Sequence, residues 1–293
     1  MKPFATSIAL AEKHNCDLAI PNGSGVGDVI CYTAVVEAMA RKIGRPIDIL
    51  TAPLNPECGI QEKSDEFSIW KNNPFVKCII NIQDIGGKHA IDPINQEKHD
   101  GSQFGHFIEN ICYQYGLSIK KLKPHIYLDK EEMQYAQEKL QNIKRPIVAL
   151  HPSGRSSSTP EHDWHFTNWV NLIEKNKEVE FFQVGKTDFD RKNLQITRFE
   201  TNLREMFALI WASDIFIGFD SSPAHIATAF DKKCVVLWDL NRALNLRNIQ
   251  PGYYLNPVPL RWGYPQNYNL TIQNDEGTVL ELINKYIERH AFD

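Results

Sequence analysis

Short apolar runs alternate with longer amphipathic stretches in two separate series along this chain, and that alternation restricts the fold more than any other feature. A strand apolar on both faces must be covered on both, and strands joined through helices build a parallel sheet. The first series opens with Asp17-Leu18-Ala19-Ile20, crosses a glycine turn, and continues as a helical pattern from Val29 to Lys42. Gly44 and Pro46 are stop signals for that helix, and strands are expected again over Pro46 to Thr51 and Val76 to Ile82. Residues 86–103, rich in Gly, Asp, His and Asn, read as an exposed loop. The second series begins at Pro146, with strands expected over 146–151, 179–184, 214–219 and 234–238. Within it, Asn202 and Glu205 have the spacing of a capping box, ahead of an apolar stripe at Leu203, Met206, Phe207, Ile210 and Trp211. The expected organisation is therefore a domain over 1–144, a second over 145–275 with the boundary near Lys144-Arg145, and a final helix within 276–293.

Composition excludes several function classes. The 293 residues carry a formal charge of -4, so the overall positive field that drives nonspecific nucleic-acid binding is absent and no nucleic-acid partner is expected. No apolar run approaches the ~20 residues that span a bilayer. The apolar N-terminal stretch is short and closed by Glu12, Lys13 and His14, a poor signal peptide, so a cytoplasmic location is expected. None of Cys16, Cys31, Cys58, Cys78, Cys112 and Cys234 forms a Cys-x-x-Cys pair, and isolated thiols are expected. His162 and His165 lie three apart without a matching acid or thiol cluster, so no metal site is expected. Gly-x-Ser-x-Gly and Walker A patterns do not occur.

Three segments carry candidate chemistry, each after an expected strand. Gly23-Ser24-Gly25-Val26-Gly27-Asp28 joins a strand to a helix. Glycines Gly25 and Gly27 suit close approach of a ligand to the backbone. A dinucleotide fingerprint fails because its third glycine is Asp28, whose carboxylate would repel a pyrophosphate. Two readings of Asp28 stay open: a general base facing a cleft, or a residue that only caps its helix. In Phe219 to Ala227, Ser222 reads as an N-cap and Pro223 as the first helical residue, leaving the N–H groups of Ala224 and His225 to hold a phosphate. His225 is a candidate for an added hydrogen bond or a proton to a leaving phosphate, against the alternative of a packed histidine. In His151 to Thr159, Ser153 and Arg155 are candidate phosphate contacts, as is Lys186 after Val184-Gly185. The alternative there is an ordinary serine-rich loop. Trp262 and Tyr264 read equally as stacking or as packing residues.

Taken together these segments resemble glycosyltransferase family 9, which contains the ADP-heptose:lipopolysaccharide heptosyltransferases. Gly25-Val26-Gly27-Asp28-Val29 is similar to that family's N-terminal turn, Asn73-Pro74-Phe75-Val76 to its next signature, and His151-Pro152-Ser153-Gly154 with Trp164 to its His-Pro-Gly…Trp stretch. Leu203-Arg204-Glu205 through Gly218-Phe219-Asp220-Ser221-Ser222-Pro223-Ala224-His225 resembles its most specific segment. The resemblance implies a GT-B architecture, two Rossmann-like α/β domains whose parallel sheets face a central cleft, with the last helix packing back on the first domain. It implies metal-independent, inverting transfer of a sugar from a nucleotide-diphosphate donor to a saccharide or glycolipid acceptor, without a cofactor and with peripheral association at the inner membrane. By the same resemblance Asp28 deprotonates the acceptor, and Ser222 to His225 hold the departing diphosphate. Two positions depart from the family pattern. Ser222 stands where a Gly is usual, and Glu161-His162-Asp163 precede Trp164 where a Lys is common, which leaves that phosphate contact absent or supplied by Arg155 or Lys186. A sugar-nucleotide-binding protein without catalysis and another GT-B enzyme, such as an epimerase, are the alternatives.

Overall fold

The computed structural model describes residues 5–20, 25–54, 67–84, 106–152, 164–185, 194, 196–239, 262–272 and 275–291. They divide into two compact units, Met1–Leu128 and Asp129–Asp293.

The first unit runs α1 (Ala5–Lys13), β1 (Leu18–Ala19), α2 (Val26–Ile43), β2 (Ile47–Thr51), a 3-10 turn (Ser68–Trp70), β3 (Val76–Asn81) and α3 (Phe107–Gln114). Its three strands are parallel in the order β1-β2-β3, with Leu18 opposite Ile49 and Ile49 opposite Ile79. Helix α2 buries Val29, Ile30, Val35, Val36 and Met39. It ends at Gly44, whose φ of 82° is left-handed and whose N–H donates to the Ala40 carbonyl at 2.8 Å; glycine adopts that conformation without steric cost.

The second unit runs α4 (Lys130–Leu140), β4 (Ile147–His151), α5 (Phe166–Lys175), β5 (Glu180–Gln183), β6 (Thr197–Arg198), α6 (Leu203–Ala212), β7 (Ile215–Phe219), α7 (Ser222–Ala229), β8 (Lys233–Trp238), β9 (Tyr268–Thr271) and α8 (Glu276–His290). Its six strands form one parallel sheet in the order β6-β5-β4-β7-β8-β9. Counted from the unit's own first strand, this is 3-2-1-4-5-6, the doubly wound order of a Rossmann sheet. The core lies on both faces: Val148, Leu150, Ile215, Ile217, Val235 and Leu237 share one, and the alternating Ile147, Ala149, Phe216, Cys234 and Val236 are buried on the other. Trp164 and Trp169 meet edge to face with centroids 4.9 Å apart.

Helix α4 groups with the second unit, so the division falls ahead of it, whereas the sequence placed a boundary near Lys144-Arg145. The cause is an ion pair and packing against α6. Arg204 grips Glu132 through two bonds of 2.8 and 2.5 Å, with side chains only 7% and 12% exposed. The capping box on α6 forms as its spacing predicts: Glu205 N–H donates to Asn202 Oδ1 at 2.8 Å, and Asn202 N–H to Glu205 Oε2 at 2.9 Å. Helix α8 spends its apolar face, Val279, Ile283 and Ile287, in the second unit's core. Strands β6 and β9 escape the sequence reading because one has two residues and the other, Tyr-Asn-Leu-Thr, is half polar at a sheet edge.

Candidate functional site

Two helix N-termini follow strand ends, as the sequence predicts, and the two are built differently. In the first unit Gly25 is the N-cap of α2 in extended conformation, and Asp28 occupies the third helical position. Gly25 N–H donates to Asp28 Oδ2 at 3.0 Å. A carboxylate there also complements the positive end of the helix dipole. Of the two roles left open by the spacing, the structure shows the cap, in a side chain that is half-buried rather than sealed in the core. Among the described residues a Cβ added at Gly25 would touch only Asp28 Oδ2, at 3.6 Å, so none of them enforces the glycine. Gly27 lies within the first turn of α2.

In the second unit the helix begins one residue earlier than the sequence suggests. Ser221, not Ser222, is the N-cap of α7, and Pro223 sits at the second helical position. The Ser221 hydroxyl turns back to donate to the Phe219 carbonyl at 3.0 Å and does not cap the helix. The expectation that Ala224 offers an uncommitted N–H is corrected: it donates to the Ser221 carbonyl at 3.0 Å. Proline has no N–H, and the Ser222 N–H is taken up by no acceptor among the described residues. The turn lies next to the β4/β7 pair, where the strand order reverses. Open α/β sheets bind ligands at that switch point, outside the carboxyl ends of the strands.

His225 is packed through its Nδ1 side. Its ring is buried, and its Nδ1 lies 2.7 Å from the Tyr264 hydroxyl. Trp262 and Tyr264 both meet it edge on, with centroids at 6.1 and 5.5 Å. Burial pushes its pKa down to about 4, which favours the neutral ring at pH 7. Tyr264 is 2% exposed, which settles it as a packing residue. Nothing in the sequence signals this pair, which joins residues 39 apart.

His151, the last residue of β4, is 6% exposed, and Gly218 of β7 is its partner in the sheet register. Its Nδ1 lies 3.1 Å from the Val184 carbonyl, and burial lowers its pKa to about 4. Ser153, Arg155 and Lys186 lie outside the described residues, as do Cys58, Glu161, His162 and Asp163. His165 is exposed, 3.3 Å from Glu276. Among the described residues no group of three His, Cys, Asp or Glu side chains is placed to hold a metal ion, the five cysteines are free thiols, and no helix is long and apolar enough to cross a membrane.

Residues 101–252, just over half the chain, match the family described as glycosyltransferase family 9 (heptosyltransferase). The chain belongs to glycosyltransferase family 9. Membership makes it a glycosyltransferase by class. No curated protein matches it. Its fold is that of solved family 9 structures. A family 9 glycosyltransferase from Veillonella parvula superposes with a TM-score of 0.65 at 14% identity, covering 94% of this chain and 96% of that one. The Escherichia coli ADP-heptose lps heptosyltransferase II gives 0.61 at 14% identity, over 92% and 98%. The E. coli heptosyltransferase WaaC, solved with ADP, gives 0.56 at 10% identity, over 92% and 99%. The expected architecture of two Rossmann-like α/β units of the GT-B class therefore stands.

Proposed function

We propose that this family 9 protein transfers a sugar, by kinship a heptose, from a nucleotide-diphosphate donor to a saccharide or lipopolysaccharide acceptor, with inversion and without a metal ion. The observation that carries the donor half is the second unit's 3-2-1-4-5-6 strand order, with the Ser221–Ser222 helix tip at its switch point. The tip offers a backbone N–H and the positive end of a helix, which favour a diphosphate without a cationic side chain. The ADP held by WaaC supports a nucleoside diphosphate as the leaving group.

In the proposed reaction Asp28 takes the proton of an acceptor hydroxyl, whose oxygen attacks the anomeric carbon. The bond from that carbon to the diphosphate oxygen breaks on the opposite face, and its electron pair stays on the nucleoside diphosphate. The turn at Ser222 steadies that charge through fixed dipoles, which need no reorganisation as the charge forms. The half-buried setting of Asp28, anchored on one oxygen by Gly25 N–H, holds the base in place. A glycolipid acceptor would bring the protein to the inner membrane surface from the cytoplasmic side as a peripheral protein.

The test is turnover of ADP-heptose, with UDP-, GDP- and CDP-sugars in parallel, against a deacylated lipopolysaccharide core, in buffer with and without EDTA. Release of ADP with an inverted anomeric proton signal, unchanged by EDTA, is the expected result. Retention of configuration, or loss of turnover with EDTA restored by added metal, would overturn the mechanism. Nucleotide-sugar binding without product from any acceptor would replace transfer by binding alone.

A further inference from the structure

On the side of the second unit where its strands begin, away from the carboxyl ends that the donor reading uses, lies a cavity of about 390 Å³. It sits between the closing turns of α7 and α8 and the first residues of β8 and β9. Its volume falls within the range of small-molecule sites. Thr228 of α7, Gln266 and Asn267 ahead of β9, Tyr268, and Tyr286 and His290 of α8 form much of its wall.

Asn267 carries an unmet need. The Thr228 hydroxyl donates to the Ala224 carbonyl at 2.8 Å, so its oxygen is left to accept, and it accepts from Asn267 Nδ2 at 2.8 Å. That settles which end of the amide faces Thr228. The other end, Oδ1, is buried without a donor, in a residue only 8% exposed. A buried acceptor in that state is costly, and a hydroxyl group is the simplest donor to satisfy it.

Charge on the wall is already matched. Lys232 Nζ donates to the carbonyl of Ser213, the C-cap of α6, at 2.9 Å. Lys233 Nζ donates to the carbonyl of His290, the last residue of α8, at 3.1 Å. Both ammonium groups thus sit on the negative ends of helix dipoles, and Asp231 adds a carboxylate to the same wall. Neither an anion nor a cation is favoured there. The rings are closed on one another: Tyr268 and Tyr286 stack with centroids 5.1 Å apart and planes 7° apart, and His290 lies 4.4 Å from Tyr286. No gap between them admits a flat base. What remains for a guest is amides, hydroxyls and ring surface, the mixture of donors, acceptors and flat apolar area that suits a neutral, many-hydroxyl molecule.

We propose that this cavity is an accessory binding site for a neutral saccharide, which gives a hydroxyl hydrogen to Asn267, bonds the Gln266 amide and lays a sugar ring against the Tyr268–Tyr286 pair. The site calls for no nucleotide and no turnover, so it stands or falls apart from the transfer reading.

The experiment titrates the full chain, labelled with nitrogen-15, with D-glucose, D-galactose, N-acetyl-D-glucosamine and lactose at millimolar concentrations. Glucose 6-phosphate, galacturonate and adenosine serve as charged and planar comparators. Amide shifts locate the site and their concentration dependence gives the affinity. Expected is that a neutral saccharide moves the amides of Thr228 to Lys233 and of Asn267 and Tyr268, with saturating ADP leaving its affinity unchanged. Affinity should fall roughly tenfold in Asn267→Ala and roughly threefold in Gln266→Ala. Thermal melts check that both variants fold. Should Asn267→Ala fail to fold, Gln266→Ala and Tyr268→Leu carry the comparison. Three results would overturn the proposal: no shift with any of the four neutral saccharides, affinity in the folded variants equal to the parent's, or binding of the phosphorylated, carboxylated or planar comparators alone. Shifts confined to Gly25 to Val29 would place the sugar at the first unit's helix tip and overturn it equally. ADP binding by the parent, read in the same spectra, tests the donor reading separately.

Discussion

The helix tips after β1 and after β7 solve one problem in opposite ways. Both must satisfy the N–H groups that a helix start leaves over. At α2 the chain spends a charged side chain: Asp28 reaches back to the Gly25 N–H. At α7 it spends backbone and an imino acid: the Ser221 carbonyl takes the Ala224 N–H, and Pro223 has none to satisfy. The first tip therefore carries a carboxylate. The second keeps the positive end of its dipole without a neighbouring carboxylate in its first turn. One suits a hydroxyl that must lose a proton, the other an anion that must leave. In the proposed reaction the same secondary-structure junction takes contrary chemical roles through the residue in the first turn.

The largest effect follows from removing that charge. Asp28→Asn keeps a carbonyl oxygen to accept from Gly25 N–H, so the cap survives while the base does not. Turnover is expected to fall by roughly 10²–10⁴-fold, with melting temperature nearly unchanged. Asp28→Ala should lose the same activity and in addition about 1 kcal/mol of stability from the missing cap. Initial rates and thermal melts on the two variants separate base from cap. Turnover in Asp28→Asn within a few-fold of the parent would leave only the capping role.

Much of this contrast was legible from residue order. Strand–turn–helix patterns placed both tips, because apolar runs with glycine or Ser-Pro punctuation reflect local backbone physics. The capping box at Asn202 and Glu205 was legible for the same reason. What escaped was every feature held by contacts distant in sequence. The contact of the Tyr264 hydroxyl with His225 Nδ1 spans 39 residues. The grip of Arg204 on Glu132, which draws α4 into the second unit, spans 72. The packing of the His151 ring on Gly185, just past the end of another strand, has no local signature. The frame shift at Ser221 and Ser222 arose because either serine could cap, and only the structure shows the Ser221 hydroxyl occupied by Phe219 O.

The two units should also part company in acid. His151 and His225 both lie in the second unit, with native pKa values of about 4 against 6.5 for an unfolded histidine. Between those values the unfolded chain binds a proton at each site and the native chain does not, so stability falls as pH drops from 6.5 toward 4 and levels off below. Each ring contributes roughly 3 kcal/mol to that loss. In the first unit burial raises the Asp17 pKa, but the Arg45 guanidinium and the Asp48 N–H outweigh it, and the carboxyl stays below its ordinary value. That depressed pKa gives stability retained above about pH 4 and lost only as pH falls through the native value. Calorimetric melts at pH 7.0, 5.5 and 4.5, with hydrogen exchange to assign the transitions, should show the second unit weakening first. Equal shifts in both units would mean that the buried rings do not set the acid limit.

The smallest effect tests the second tip at a single hydrogen. Replacing Ser222 by proline deletes its N–H and little else. Proline is tolerated in the first turn of a helix, and the preceding Ser221, at φ -166° and ψ 174°, is in the extended region that a following proline favours. The side chain that disappears is half-exposed and forms no hydrogen bond among the described residues. Stability should change by less than about 1 kcal/mol. A hydrogen bond to a charged acceptor is worth about 1.5–3 kcal/mol, so nucleoside-diphosphate affinity should fall roughly tenfold or more. Salt sharpens the reading. The helix dipole persists in the variant, so its residual affinity should still weaken with ionic strength as the parent's does. An unchanged Kd in Ser222→Pro would mean that the Ser222 N–H does not hold the diphosphate, and the contrast between a tip that spends a carboxylate and a tip that spends its backbone would then concern helix stability and not catalysis.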